Sequence, residues 1–409
     1  MKRYDKYKDS GVEWIGEIPT SWEIRKFKRL FTEKKKTTNA SLNSGSISFG
    51  EVIYKDDEKI TEATKLSYQV LNSGEFLLNP LNMNYDLKSL RIGLSSIDVV
   101  VSSGYIILQS KKGLDKNYYR WLLRIYDVLF MKTLGAGVRQ TINYNDLADS
   151  HLVLPPFPEQ QAIASFLDDK TAKIDQIIFI KEKEIELLKE RRQILIQKAV
   201  TKGLDENVKF KDSGVEWIGA IPEHWELKKL KYLTKCLNTK RIPLETTIRG
   251  SMEQKKYPYY GATGIIDYVE DYIFDEETIL IAEDGANLIF RNLQLIYKPQ
   301  GKYWVNNHSH ILRPLDQINK NYLAFLMECF DYTVYISGAA QPKLTKENLL
   351  NILFLSPPLV EQNRIVSYLE KIEEKISKAI SLKQQEIEKL KEYKTVLIDQ
   401  VVTGKVKVS

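Results

Sequence analysis

Lys8-Asp-Ser-Gly-Val-Glu-Trp-Ile-Gly16 recurs letter for letter as Lys211-Asp-Ser-Gly-Val-Glu-Trp-Ile-Gly219. The match runs on through Ile18-Pro19 and Trp22-Glu23 to Ile221-Pro222 and Trp225-Glu226, giving 16 identities in the 24 positions of 7–30 against 210–233. A second doubled stretch lies downstream, where 155–201 against 357–403 carries 21 identities in 47. A period of about 200 residues is far too long for a stacked solenoid, whose repeats span roughly 20–50. The chain is therefore a duplicated pair of domains. Between the doubled stretches, 31–140 and 234–340 diverge. Constant ends around variable middles describe two dissimilar heads on one repeated frame.

The downstream stretches have helical periodicity. Ile163, Leu167, Ile174, Ile177, Ile178, Ile185, Leu188, Leu195 and Ala199 recur at spacings of three and four or their sums, amid dense mixed charge. The second copy repeats the stripe with Ile365, Leu369, Ile372, Ile376, Ala379, Ile380, Ile387, Leu390, Leu397 and Val401. An apolar seam with charged flanks specifies a coiled coil. Pro155-Pro156 and Pro357-Pro358 mark the helix starts, and Gly203 and Gly404 the ends. Each helix of about 40 residues would be ~60 Å long. The expected architecture is α+β: two mixed α/β heads separated by a pair of long antiparallel helices in a pseudo-twofold, circular arrangement. That order also brings the two chain ends together. The expected boundaries are 1–155, 156–204, 205–357 and 358–409, with constant segments 1–24 and 205–227 leading each head.

Within the first head, 74–78, 97–101 and 105–108 read as strands and 116–126 as a helix. In the second, 278–282, 293–297 and 309–312 read as strands and 321–330 as a helix. An offset of 204 lays Val101 on Val305, Leu108 on Leu312 and Lys116-Asn-Tyr118 on Lys320-Asn-Tyr322. The heads share a fold while differing in exposed chemistry.

The chain has 409 residues, a formal charge of +6 and a pI near 8.8. This mild basicity favours an anionic partner without naming one. Its two cysteines, Cys236 and Cys329, form no Cys-x-x-Cys pair, which disfavours a disulfide framework and a cysteine zinc site. The first residues lack the apolar core of a signal peptide, and no apolar run approaches the ~18 residues of a membrane span. The expectation is a cytoplasmic protein.

Catalytic motifs are weak. Gly135-Ala-Gly137 lacks the further glycine and lysine of a phosphate loop. Leu154-Pro-Pro-Phe157 and Ser356-Pro-Pro-Leu359 resemble an amino-methyltransferase motif, but the first lacks its polar residue and the second its aromatic; both read better as helix starts. His308-x-His310 would set two rings on one strand face, suited to zinc, yet no third ligand lies near in sequence. Glu283-Asp284-Gly285 reads as a turn lacking the following Glu-x-Lys of a nuclease. Trp14, Trp22, Trp217 and Trp225 read as structural anchors because the constant segment holds them unchanged.

What remains is polar, basic and aromatic material in the variable heads. The first offers Asn79, Asn82, Asn84, Tyr85, Lys88, Arg91, Ser102, Ser103, Tyr105, Arg139 and Gln140. The second offers Tyr260, Thr263, Asn287, Arg291, Lys298, Asn306, Asn307, His308 and Gln341. Asn and Gln pair with adenine, Arg with guanine, and Lys or Arg with phosphates. Each cluster alone is equally readable as a solvated loop; recurrence in both heads favours DNA.

Taken together, the chain resembles the specificity subunits of type I restriction–modification systems over essentially all its residues. The carriers are the doubled Asp-Ser-Gly-Val-Glu-Trp-Ile-Gly segment, Pro-Pro with Glu159-Gln160 and Glu361-Gln362, and the helix ends Lys198-Ala-Val-Thr201 and Gln400-Val-Val-Thr403. Asn79-Pro-Leu-Asn-Met83 and Tyr260-Gly-Ala-Thr-Gly-Ile265 look like two types of recognition domain. The resemblance implies that each head reads half of a split target in double-stranded DNA, with the helices fixing the gap. It also implies two docked methyltransferase subunits using S-adenosylmethionine on an adenine in each half. Restriction/translocase subunits would supply ATP- and Mg-dependent cleavage. The chain itself would hold no catalytic residue, cofactor or metal. Lys202-Gly203 against Gly404-Lys405 departs from the pattern and puts the first helix end in doubt. A free-standing methyltransferase or nuclease, and a coiled-coil adaptor with protein-binding heads, remain as rivals.

Overall fold

In the computed structural model, which describes residues 2–57, 60–82, 90–134, 140–215, 218–338 and 341–408 (at 82 and 140 the backbone alone), the downstream repeats are helices. The first is Phe157–Lys202, 46 residues, and the second Leu359–Val402, 44 residues. Each begins directly after its proline pair, where the Pro156 and Pro358 carbonyls accept the first helical bonds from Glu159 and Gln160, and from Glu361 and Gln362. Gly203 and Gly404 follow their last turns with φ of 77° and 76°, the left-handed conformation glycine adopts without strain. With the Lys/Gly order exchanged, the first helix runs to Lys202, two positions beyond the equivalent of Val402, so the two ends differ locally.

The chain divides into two compact units, Met1–Lys181 with Gln385–Ser409, and Glu182–Gln384. In the first, residues 157–181 and 385–402 run antiparallel, tied by Asp175–Lys394 at 2.7 Å and Lys181–Glu386 at 2.5 Å. In the second, Glu184–Lys383 at 2.5 Å and Arg192–Glu373 at 4.0 Å give the same sense. Ile163, Leu167, Ile174, Leu397 and Val401 are buried in the first unit, and Ile185, Ile196, Ala199, Ile365, Leu369 and Ile376 in the second. One seam position differs: Ile177 is exposed, and its neighbour Ile178 packs on the core instead. Two adjacent isoleucines cannot both face one side of a helix. In the first unit Lys407 donates its backbone N–H to the Lys2 carbonyl, so the two ends of the described chain meet.

Each unit carries a four-stranded antiparallel sheet. In the first the strand order is Ile92–Leu94, Phe76–Leu78, Ile106–Ser110, Phe31–Glu33. In the second it is Ile296–Tyr297, Ile279–Ala282, Ser309–Pro314, Thr234–Cys236. The order is the same despite divergent sequence, because both copies keep buried apolar strands at equivalent places. A helix covers each sheet: Lys116–Leu129, capped by Asp115, and Lys320–Cys329, capped by Asn319. Strands Val99–Val101 and Gln69–Leu71 add a small pair to the first head, and Tyr257–Gly261 with Gly264–Val269 a hairpin to the second.

The doubled segments explain themselves as one joint built twice. Trp22 is fully buried; its indole N–H donates to Glu159 at 2.8 Å, and a Cβ on Gly404 would fall 2.9 Å from its ring. Trp225 is likewise buried, donates to Glu361 at 3.0 Å, and lies 3.1 Å from where Gly203 would carry a Cβ. Each tryptophan thus wedges between the start of one long helix and the end of the other. The buried amides of Gln160 and Gln362 span the next gap, accepting from the N–H of Asp115 or Asn319 and donating to the Pro155 or Pro357 carbonyl. Tyr118 and Tyr322 complete the joint with hydroxyl bonds to the Val402 and Val200 carbonyls. Trp14 packs on the first core, and Trp217 lies outside the described residues.

Candidate nucleic-acid interface

The register of each sheet gathers the polar loops at one edge. In the first head Leu78 pairs with both Ile92 and Ile106, so the residues just beyond these strand ends, Asn79, Arg91 and Tyr105, share that edge. In the second head Ala282 pairs with Ser309 and Ile281 with Ile296, which places Glu283, His308 and Leu295 on the matching edge. Strand polarity alone does this: in antiparallel neighbours the end of one strand abuts the start of the next.

At the first edge, the turn 102–105 is pinned from beneath by Gln69, whose amide donates to the carbonyls of Tyr105 at 2.6 Å and Ser102 at 3.3 Å. Ser103 and Tyr105 share a recess with Pro80, Thr141, Asn143 and Tyr144. Strand Gln140–Thr141 pairs with Leu81–Asn82 across it. Asn79 is half-buried and bonds its own loop, accepting from the Leu81 N–H. Arg91 lies inside the head, 4% exposed: its Nε donates to Asp127 at 2.9 Å and its backbone N–H to the same carboxylate at 2.6 Å. In this conformation Arg91 braces the sheet edge and is not presented to a ligand. Asn84, Tyr85, Lys88 and Arg139 lie outside the described residues, as do the side chains of Asn82 and Gln140.

The second edge is more ionic. Arg241 donates to Glu283 at 2.5 Å and to the carbonyls of Asn307 and Ser309, nailing the turn that carries His308. Burial would raise the Glu283 carboxyl, but Arg241 and Lys343 outweigh it and hold the group below its ordinary value. His310 is fully buried; Nε2 faces the Leu344 carbonyl at 2.7 Å and so carries the hydrogen, leaving Nδ1 to accept from Asn238. Burial pushes its pKa down. His308 is exposed and faces Asp284, so the two rings of His308-x-His310 serve different partners. Among the described residues no group of His, Cys, Asp and Glu is placed to hold a metal ion.

Tyr260, Thr263 and Lys298 share a recess with Gln294 and Tyr297, and Asn306 ties it to the edge by donating its N–H to the Tyr260 carbonyl. Burial pushes the phenols of Tyr105 and Tyr260 up, so each keeps its proton as a donor. Asn307 and Gln341 are exposed beside this edge. Two expected contacts are spent internally. Asn287 closes its own loop on Leu293 and Gln294, and Arg291, at φ 52°, donates to the carbonyls of Glu328 and Phe330. The sequence reading named Asp284 only as part of the Glu283-Asp284-Gly285 turn and passed over Arg241, Gln69 and the recess residues Asn143 and Tyr144.

No helix of the described residues is long and apolar enough to cross a membrane. Both cysteines are free, and burial pushes the Cys329 thiol up to about 12, which makes it inert.

Known proteins share this architecture. The chain is 25% identical over 427 aligned positions to a putative type I restriction enzyme MjaX specificity subunit of Methanocaldococcus jannaschii, covering 96% of each. It is 36% identical over 146 residues to a putative specificity subunit of Haemophilus influenzae, S.HindORF215P, a match spanning 36% of each chain. Among solved structures, a chain from work on complex assembly and conformational transition of the type I R-M system superposes with a TM-score of 0.72 at 14% identity, over 95% of this chain and 99% of that one. The HsdS subunit of Thermoanaerobacter tengcongensis gives 0.53 at 15% identity, over 95% and 98%. The model of the type I restriction modification DNA specificity domain matches twice, at 19–188 and 222–392. The chain belongs to the DNA specificity subunits of type I restriction–modification systems.

Proposed function

We propose that each head reads one half of a bipartite DNA target and that the paired long helices set the unread gap between the halves. The observation that carries this is the matched edge. Two sheets of the same strand order each gather differently composed polar loops at the equivalent edge, as two readers with different targets require. Ser103, Tyr105, Thr141 and Asn143 in one head, and Tyr260, Thr263, Asn307, His308, Lys298 and Gln341 in the other, are the residues offered to base edges and phosphates. Asn82, Asn84, Tyr85, Lys88, Arg139 and Gln140 adjoin the residues of the first edge in sequence and are assigned to it on that ground.

Bond-making falls to partner subunits in this reading. Two methyltransferase subunits dock on the duplicated frame and modify an adenine in each half with S-adenosylmethionine. Translocase/nuclease subunits add ATP- and Mg-dependent cleavage. The chain contributes recognition and spacing, and works in the cytoplasm where its DNA is. The test is co-expression with candidate methyltransferase partners followed by mapping of modified adenines. The expected result is one split motif with a fixed gap. Methylation by the purified chain alone, or partner-dependent methylation without sequence preference, would reject the reading.

A further inference from the structure

We propose that His308 and Asp284 form a base-reading pair in the second head, and that the base selected carries an amino group in the major groove. This deepens the DNA-reading function above and rests on it.

His308 occupies the turn entering strand Ser309–Pro314, at the edge assigned to DNA, with its side chain 48% exposed. Its position is fixed on three sides. The Asn306 side chain accepts its backbone N–H at 2.8 Å, Glu283 donates a backbone N–H to its carbonyl, and Arg241 grips the carbonyls of both neighbours. Its ring Nδ1 lies 2.9 Å from each oxygen of Asp284. A carboxylate only accepts, so Nδ1 must carry the hydrogen, and Nε2 is the nitrogen left to meet a ligand. Asp284 is itself set by a backbone bridge to Lys343 and is 17% exposed. The other ionisable groups around the pair are Glu283, Arg241, Lys343 and buried His310. The two cations take Glu283 as their carboxylate, at 2.5 and 3.3 Å.

With Nδ1–H held by Asp284, the neutral ring presents the Nε2 lone pair to a ligand. In the major groove the matching donors are the amino groups of adenine N6 and cytosine N4. Guanine and thymine offer acceptors at the corresponding positions and would be refused. The first head has no counterpart: its equivalent turn is Ser102-Ser103-Gly104, and its histidine, His151, lies in strand His151–Leu154 away from this edge. The selection therefore concerns one half-site.

The test is methylation of a randomised-site library by the complex with its methyltransferase subunits, using wild type, His308→Ala and Asp284→Asn. The wild type should favour adenine or cytosine at one position of the second half-site. His308→Ala should flatten that preference by roughly tenfold or more, while the first half-site stays unchanged and certifies folding. Asp284→Asn, whose amide can donate or accept, frees the tautomer and should relax the same position. Unchanged base preference in His308→Ala overturns the pair alone. A uniform loss across all second half-sites also overturns it, since that is the mark of a phosphate or structural contact. Absence of sequence-specific methylation by wild type overturns the pair together with the function it rests on.

Discussion

The least interchangeable residues are those whose neighbours leave them no alternative. Arg91 and Asp127 are both sealed inside the first head. Asp127→Ala should cost about 3–5 kcal/mol by stranding a buried guanidinium, whereas the double change with Arg91→Met should recover much of it. Denaturant melts of the three proteins decide the matter. The helix-end glycines give a graded comparison. A methyl at Gly404 would fall 2.5 Å from Pro19 and 2.9 Å from Trp22, both rigid, whereas at Gly203 the closest atom is Trp225 at 3.1 Å. Both sites need the left-handed backbone, so Gly404→Ala should lower Tm more than Gly203→Ala; equal losses would show that backbone strain, not the tryptophan joint, dominates. At this scale the sequence was partly legible. Doubled tryptophans announced anchors, and the structure adds the glutamates that hold them. Side-chain type does not reveal direction: Arg91 is spent on buried Asp127, Asn287 on its own loop, and Arg291 on the carbonyls of Glu328 and Phe330.

At the scale of elements, periodicity foretold more. The long helices begin after the proline pairs and end at the glycines, since proline and glycine act through the backbone and need no tertiary context. Five strands of the two sheets were legible from their apolar runs and the shared fold from the fixed offset, but Phe31–Glu33, Ile92–Leu94 and Thr234–Cys236 were missed and the strand order was not foretold. What the sequence could not show is that antiparallel register would bring Asn79, Arg91 and Tyr105 to one edge, because those contacts are non-local. The ionic clasp at the second edge was equally hidden: Arg241 and Glu283 are 42 residues apart. That clasp carries a pH prediction. The Glu283 carboxyl is held below its usual 4.5, so its contribution is fully present above that value and is lost as pH falls through the lowered one. Amide protection in the turn 306–309, measured relative to the intrinsic exchange rate at each pH, should therefore stay high at neutral pH and fall only in acid. Glu283→Gln should show low protection at both. Equal protection in the two proteins would show that the carboxylate does not hold the turn.

For the whole molecule the account makes helix length a ruler. Lengthening both long helices by seven residues preserves the heptad seam and adds about 10 Å, the rise of roughly three base pairs. Single-helix insertions should instead disrupt pairing, because the antiparallel ion pairs of each unit would lose register. The measurement that bears most directly on the central claim is the map of methylated adenines made by the double-insertion variant with its methyltransferase partners. The account predicts both half-site sequences unchanged and the gap between them longer by about three base pairs. An unchanged gap, or altered half-sites at a lengthened one, would contradict it.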